Sequence, residues 1–319
     1  MAHAQQSRTP VQWRAGPHLA VSGKTVPMKV CLIQVPYMAG DERPGSARGP
    51  DQYVAAGVER LVATEGNATR VVRAERRGPF RDTVSASFAV CRDLARLVRQ
   101  SVDDGEFPFV LAGGCDAAKG VLSGLDHAST GVVWVDAHGD FNTPESTTTG
   151  YFPGMSLAVI TGHCYRAAWA QIGNAEPIAD DAALLVGVRE LDPAERTRLN
   201  ASATGVVPWR DGQPQADLHD ALDRLATRVQ EVYLHIDIDA LDPEVAPGVV
   251  DRPVPGGLSL EQAEEAIRAV AARFDLRAVD VAIYNPDLDV DDRTLRAGLR
   301  IIAVLSECIA GSASTFAGD

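Results

Sequence analysis

Apolar, β-branched runs recur along the chain, and most are followed by a stretch whose apolar residues repeat at helical spacing. Val26–Val35 (VPMKVCLIQV) predicts a first strand, with Pro27 tolerated at its beginning. Val71 and Val72 predict a short second one, and Phe107–Ala112 runs into a Gly113-Gly114 turn. Glycines there let the backbone turn sharply and bring Cys115 to the strand's carboxyl end. Further strands are expected over 131–136, Ala183–Val188, 232–238 and Leu276–Tyr284. Between them lie predicted helices. Asp51 can cap one running to about Thr64. Ser85–Ser101 places Phe88, Val90, Cys91, Leu94, Leu97 and Val98 on one face, with Gly105 beyond its end. Others span 116–126, begin near Gly154, cover Asp217–Glu231, and close the chain at Thr294–Ala310. Ser259-Leu-Glu-Gln262 has capping-box spacing and opens a helix to about Phe274. Strands alternating with helices define an α/β protein with a mostly parallel sheet covered on both faces.

Composition narrows this picture. No internal repeat, low-complexity tract or linker divides the 319 residues, so residues 26–319 are expected to form one domain, with 1–25 as a flexible extension. That extension has no apolar core of the secretory kind. No apolar run approaches the roughly 18 residues a membrane helix needs. The five cysteines are odd in number and scattered, which argues for a reducing cytoplasm over a disulfide framework. An excess of 43 acidic over 30 basic residues gives a net charge of −13 and disfavours nucleic acid and anionic membranes.

Part of that negative charge is concentrated at two strand ends. The run Val132–Val135 leads into Asp136, His138 and Asp140, spaced two apart; in an extended chain all three point to one side. About a hundred residues on, the strand over 232–238 ends in Asp237 and Asp239 with the same spacing. A polar turn facing water explains either segment alone. Two buried strands both ending in same-facing carboxylates are harder to explain as solvation, because such groups repel unless a cation compensates them. Four aspartates and one imidazole suit two divalent ions sharing carboxylates. The oxygen-rich donor set fits Mn²⁺ better than a thiolate-rich zinc site. Two cations acidify a shared water, so that hydroxide is available at neutral pH to attack a planar carbon. Asp140 can take up the remaining proton and hand it to a leaving amine.

These residues resemble the ureohydrolase superfamily of arginase, agmatinase and their relatives, over roughly residues 28–310. The resemblance rests on Trp134-Val-Asp136-Ala-His138-Gly-Asp140-Phe-Asn142-Thr-Pro, on Asp237-Ile-Asp239-Ala-Leu-Asp-Pro, and on the Gly-Gly turn that precedes both. It implies a three-layer α/β/α fold with about eight strands and two Mn²⁺ per subunit, other divalent ions being possible. It also implies hydrolysis of a guanidino or amidino carbon–nitrogen bond by a metal-bridging hydroxide. By the resemblance, Asp136 and Asp237 bridge the ions, Asp140 completes one position, and His138 with Asp239 completes the other. Cys115 takes the place of a histidine ligand when the alignment is anchored on Gly120. Anchoring on Gly113-Gly114 puts Asp116 there instead. Cys115 is preferred, since some bacterial relatives that act on modified arginines carry cysteine at that position. Its plainer role is a small buried apolar residue. Asn142 and Thr149 align with contacts to a substrate α-carboxylate, and Asp192 with a contact to its α-ammonium. Plain turn chemistry also accounts for the hydroxyl-rich loop Ser146–Thr149. A homo-oligomer, trimer or hexamer, is expected by analogy.

The chain departs from the family in two places. Ile283 stands where a guanidinium-binding glutamate is usual; Tyr284, Asp287 or Asp289 can compensate, or the substrate is a less charged guanidine such as an N-hydroxylated one. Pro153 stands where a loop histidine is usual. His163 is expected at the surface, and His235 in packing or in a hydrogen bond behind the ligands. The Gly/Pro/Arg-rich loop 39–50 is either a rim of the site or a plain connection. The leading expectation is a Mn²⁺-dependent hydrolase of an arginine-like or modified-arginine substrate. The alternatives are a hydrolase of a different linear amidine or amide, and a catalytically silent metal-binding member.

Overall fold

A computed structural model of the chain describes residues 29–63, 69–126, 128–174 and 176–312. The expected N-terminal extension and residues 26–28 of the first strand lie outside the described residues. The strands are β1 (Lys29–Val35), β2 (Thr69–Arg73), β3 (Glu106–Ala112), β4 (Thr130–Val135), β5 (Ala183–Val186), β6 (Gly205–Val207), β7 (Trp209–Arg210), β8 (Gln213–Pro214), β9 (Glu231–Asp237) and β10 (Asp275–Ala282). Eight of them form one sheet in the order β2-β1-β3-β10-β9-β4-β5-β6. Every pairing in it is parallel. The small β7–β8 hairpin stands apart.

Alternation along the strands sends side chains to two cores. On one face Val30, Leu32, Phe109, Val133, Leu234 and Val279 pack in a cluster that draws on the helices Leu218–Ala226, Leu260–Ala271 and Arg293–Ser312. On the other, Cys31, Ile33, Val110, Trp134, Tyr233 and Ala278 pack with Thr83–Asp103, Ala118–Gly124 and Ser156–Ile160. The result is the expected three-layer α/β/α arrangement, and its strands are apolar on both faces because both are covered.

The chain leaves β3 and enters β4 three positions away, and the two-strand gap is filled later by β10 and β9. Loops leaving β3 and β4 therefore diverge, and the crevice at their carboxyl ends is where open parallel sheets bind ligands.

Several expectations need correction. Asp51 is not a helix cap: the helix Gly49–Ala55 begins before it with Pro50 in its first turn. Asp51 instead pairs with Arg73 and accepts from Gln34 Nε2 at 3.0 Å. That helix stops early, at a turn where Gly57 adopts φ of 81°, and Glu59–Val62 forms a separate turn of helix. The helix expected over Asp217–Glu231 ends at Ala226, and Glu231 already belongs to β9. By contrast, both bonds of the Ser259–Gln262 capping box are present. β6, the hairpin and the helix Pro193–Ala201 escaped the periodicity argument, since two or three apolar residues carry no readable period.

Candidate metal centre

The carboxyl ends of β3, β4 and β9 bring together five of the six sequence-predicted ligands, Cys115, Asp136, His138, Asp237 and Asp239, in two groups, while Asp140 falls in neither. One potential ligand atom from each of Cys115, Asp136, His235 and Asp237 lies within 4.8 Å of the others, and a second such group joins Asp136, His138 and Asp239. Asp136 belongs to both. Cys115 Sγ is 2.9 Å from Asp237 Oδ2, whereas Asp116 turns away. Asp116 accepts from the backbone N–H of Ala39 at 3.1 Å and from the Ser87 hydroxyl. The Cys115 thiol, and not the Asp116 carboxylate, thus belongs to the group of potential ligands.

The reason for Gly113 and Gly114 also differs from the expected one. Neither has a positive φ. A Cβ on Gly113 would lie 2.7 Å from the Tyr37 carbonyl oxygen and 2.8 Å from Ala47 Cα, so glycine is required by close approach of the loop over residues 37–47. The same segment continues to Arg48, which pairs with Asp287 beyond β10.

β4 ends at Val135, so His138 and Asp140 are carried by a turn and not by the extended chain assumed from their spacing. Asp140 sits in the left-handed region with φ of 46°, which aspartate tolerates better than most residues. Its Oδ2 is buried with no hydrogen-bond partner among the described residues. Asp237 closes β9 and Asp239 lies in the short 3₁₀ turn after it.

Backbone and side-chain donors aim these carboxylates. Asp136 accepts from Trp134 Nε1 at 2.9 Å and from the backbone N–H of His138 at 2.7 Å. Asp237 accepts from the N–H groups of Asp239 at 2.8 Å and Ile283 at 3.2 Å. His138 Nδ1 lies 3.0 Å from Asp239 Oδ2, and its Nε2 lies 3.5 Å from Glu190 Oε2 on the open side. Arg189 donates to the carbonyls of Asp239, Ala240 and Leu241 and so clamps the turn that holds Asp239. Sequence reasoning did not single out Glu190, or the clamping role of Arg189. A charged residue directly after an apolar strand was the available signal for both.

The electrostatics show a deficit of positive charge. Burial, and then the Asp239 charge, raises the pKa of Asp136. Burial and the Asp136 charge push Asp140 well above the carboxylate range; burial, then Asp239 and Asp136, do the same to Asp237. Burial followed by Asp237, Asp140 and Asp136 pushes the Cys115 thiol well up. For His138, burial opposes the charged form, but Asp239 and Asp136 outweigh it and hold the imidazole well above its usual value. Asp239 shows the converse: burial opposes ionisation, and His138 overcomes it to bring the carboxyl to about 2. Buried carboxylates and a thiol that cannot all ionise side by side, one with an oxygen unpartnered among the described residues, form with the neighbouring imidazoles a donor set that fits divalent ions.

Around this centre, Asn142 Nδ2 donates to Asp192 Oδ2 at 3.1 Å, and the Asn142 Oδ1 accepts from the Ser146 hydroxyl at 2.9 Å. Thr149 lies on an exposed loop, where its hydroxyl accepts from the backbone of Tyr151 at 3.2 Å. Glu195 ties these loops together by accepting from the N–H groups of Phe141 at 2.9 Å and Asp192 at 3.0 Å. Ile283 is buried. The three residues that were candidates to replace the missing carboxylate are engaged elsewhere. Tyr284 packs against Tyr53 with the rings tilted and their centroids 5.2 Å apart, Asp287 pairs with Arg48, and Asp289 accepts from the N–H groups of Thr294 and Leu295 at the start of the last helix. His163 pairs with Asp180 at 2.8 Å, and Pro153 is buried at the head of a 3₁₀ turn.

An all-parallel sheet with a cluster of potential metal ligands at the carboxyl ends of its central strands defines an α/β protein with a candidate metal site on its binding edge. The comparisons with known proteins specify which kind. The arginase-family profile matches residues 28–306, and the chain belongs to that family. It is 31% identical to the arginase of Bacillus caldovelox over 294 residues, covering 86% of this chain and 97% of that one. The structure of that enzyme superposes with a TM-score of 0.75 at 29% identity, over 87% and 98% of the two chains. The arginase of Bacillus cereus gives 0.77 at 28% identity, over the same shares. The proclavaminate amidino hydrolase of Streptomyces clavuligerus, at 22% identity and a TM-score of 0.66 over 89% and 92%, shares the fold. The chain is therefore a hydrolase acting on carbon–nitrogen bonds in linear amidines. Among the described residues no helix is long and apolar enough to cross a membrane.

Proposed function

We propose that this enzyme hydrolyses the guanidino group of an arginine-like or modified-arginine substrate, using two divalent ions, Mn²⁺ in the first instance. The observation that carries the reading is the pair of ligand groups sharing Asp136, Cys115 and Asp237 on one side, His138 and Asp239 on the other. Two ions held there would make a hydroxide nucleophile available at neutral pH. Asp140, whose Oδ2 has no hydrogen-bond partner among the described residues, would accept the nucleophile's remaining proton and return it to the leaving amine. Trp134 and the backbone of His138, Asp239 and Ile283 keep Asp136 and Asp237 from rotating out of place. Asn142 and Thr149 take the carboxylate of an α-amino acid and Asp192 its ammonium; the Asn142–Asp192 bond sets the two at a fixed distance.

Ile283 supports a less basic guanidine, such as an N-hydroxylated one. A cationic guanidinium desolvated against isoleucine loses several kcal/mol on the scale of about 2–4 for an unpaired buried charge-assisted bond. The odd-numbered, scattered cysteines support a cytoplasmic location, and the resemblance supports a trimeric or hexameric assembly.

The test is metal content together with urea or hydroxyurea release from arginine, N-hydroxyarginine, agmatine and related guanidines. Two ions per chain and turnover of an arginine derivative are expected. Two ions with no turnover of any guanidino compound would reject this reading in favour of another linear amidine or amide, or of a silent member. Cys115→Ala is expected to weaken metal retention; unchanged retention would refute ligation by the thiol.

A further inference from the structure

We infer that His235 is a direct metal ligand, supplying through Nε2 the imidazole of the Cys115 half of the centre. This rests on the metal-dependent reading above. The ring is fully buried, and its Nε2 has no hydrogen-bond partner among the described residues. A buried polar nitrogen left unpaired costs about 1–3 kcal/mol, so its persistence calls for a partner the protein alone does not provide. One ring nitrogen of His235 lies with Cys115 Sγ and a carboxylate oxygen of each of Asp136 and Asp237 inside a group spanning no more than 4.8 Å; Asp280 occupies Nδ1, which leaves Nε2 as the nitrogen to face a metal.

The rest of the ring is held as ligating histidines are held. In the sheet, Trp134, His235 and Asp280 stand side by side on β4, β9 and β10 as register partners. Asp280 places its two carboxylate oxygens 2.8 and 3.0 Å from Nδ1, and it also accepts from the Tyr233 hydroxyl at 2.6 Å. A carboxylate on Nδ1 keeps a proton there and leaves Nε2 with its lone pair, the tautomer that binds a metal. The Trp134 indole stacks on the imidazole, centroids 3.6 Å apart, and fixes its plane. The same indole donates to Asp136, so one side chain orients two donors. Strand parity does the rest: His235 and Asp237 are two apart on β9 and share a face.

One consequence is an unequal pair of positions. The Cys115–His235 half combines a thiolate and an imidazole with carboxylates and favours softer ions such as Co²⁺ or Zn²⁺. The His138 half lacks the sulfur and favours Mn²⁺.

The decisive measurement is a crystal structure of the wild-type protein loaded with Co²⁺, with the ions located by anomalous scattering at the cobalt edge. The expected His235 Nε2–Co distance is about 2.1 Å, as for other imidazole–metal bonds. Two ions bound with Nε2 beyond about 3 Å from either, the length of a hydrogen bond, would overturn the inference while leaving the dinuclear reading intact. A protein that binds no Co²⁺, Mn²⁺ or Zn²⁺ overturns both. In parallel, folded His235→Asn is expected to retain one tightly bound Co²⁺ per chain where the wild type retains two. Two ions held with wild-type affinity would again overturn it, and if that variant does not fold, the wild-type distance decides alone.

Discussion

Asp140→Asn should move stability and activity in opposite directions. The substitution suits the backbone, because asparagine, like aspartate, accepts the left-handed conformation found at φ of 46°. It replaces a buried oxygen that has no donor with an amide that can donate towards the neighbouring carboxylates. Burial, then the charge of Asp136, raises the Asp140 pKa in the metal-free fold. A raised carboxyl pKa means the folded chain holds its proton more tightly than the unfolded one. Its contribution to stability is then most favourable below the unfolded pKa and is lost as pH rises through the folded value. Above that value the ionised group is a net burden. Removing it relieves about 1–3 kcal/mol, the cost of one unsatisfied buried group. For a chain of this size that is a rise of about 2–10 °C in the unfolding midpoint. Thermal unfolding of chelator-treated protein at pH 5 and pH 7.5 measures it, and the gain should be larger at pH 7.5. Turnover of the metal-loaded variant should fall about 10²–10⁴-fold, the usual worth of a positioned proton acceptor. A metal-free variant less stable than wild type at pH 7.5 would refute the claim that this carboxylate is uncompensated.

Three more perturbations address the supports of the site. Trp134→Phe keeps an aromatic ring against His235 but deletes the 2.9 Å bond to Asp136; metal affinity should drop about 10–100-fold in a chelator competition, and no drop would mean the indole does not orient the ligand. Glu195→Ala strands the N–H groups of Phe141 and Asp192, and should cost about 2–3 kcal/mol in urea denaturation. Asp192→Ala should raise KM about 10–100-fold for a substrate bearing an α-ammonium, the worth of one charge-assisted hydrogen bond. It should leave an analogue without the ammonium nearly unaffected; equal losses for both would point to collapse of the capped helix instead.

Much of the centre was legible before any coordinates. Asp136, His138, Asp140, Asp237 and Asp239 all lie at, or within a few residues beyond, the ends of strands that the apolar pattern exposes, and a strand's end in a parallel sheet lies on the binding edge. Cys115 was readable as a candidate but not separable from Asp116, because a glycine turn has no periodicity to set its register. Only the fold turned Asp116 towards Ser87 and Cys115 towards Asp237. His235 had the right parity yet no visible partner, since Asp280 and Trp134 lie 45 and 101 residues away along the chain.

By itself the sequence determined the alternation of strand and helix, the apolar face of each element, and the acidic side chains at the strand ends. These are local quantities, fixed by spacing along one segment. The order of strands decided the rest. Placing β9 between β10 and β4 brought Asp280, His235 and Trp134 into one row. It also gave Asp136 a share in two groups of potential ligands and left an imidazole nitrogen and a carboxylate oxygen buried without a partner among the described residues. Such an arrangement depends on contacts between segments far apart in the chain, and no periodicity along a single segment encodes them.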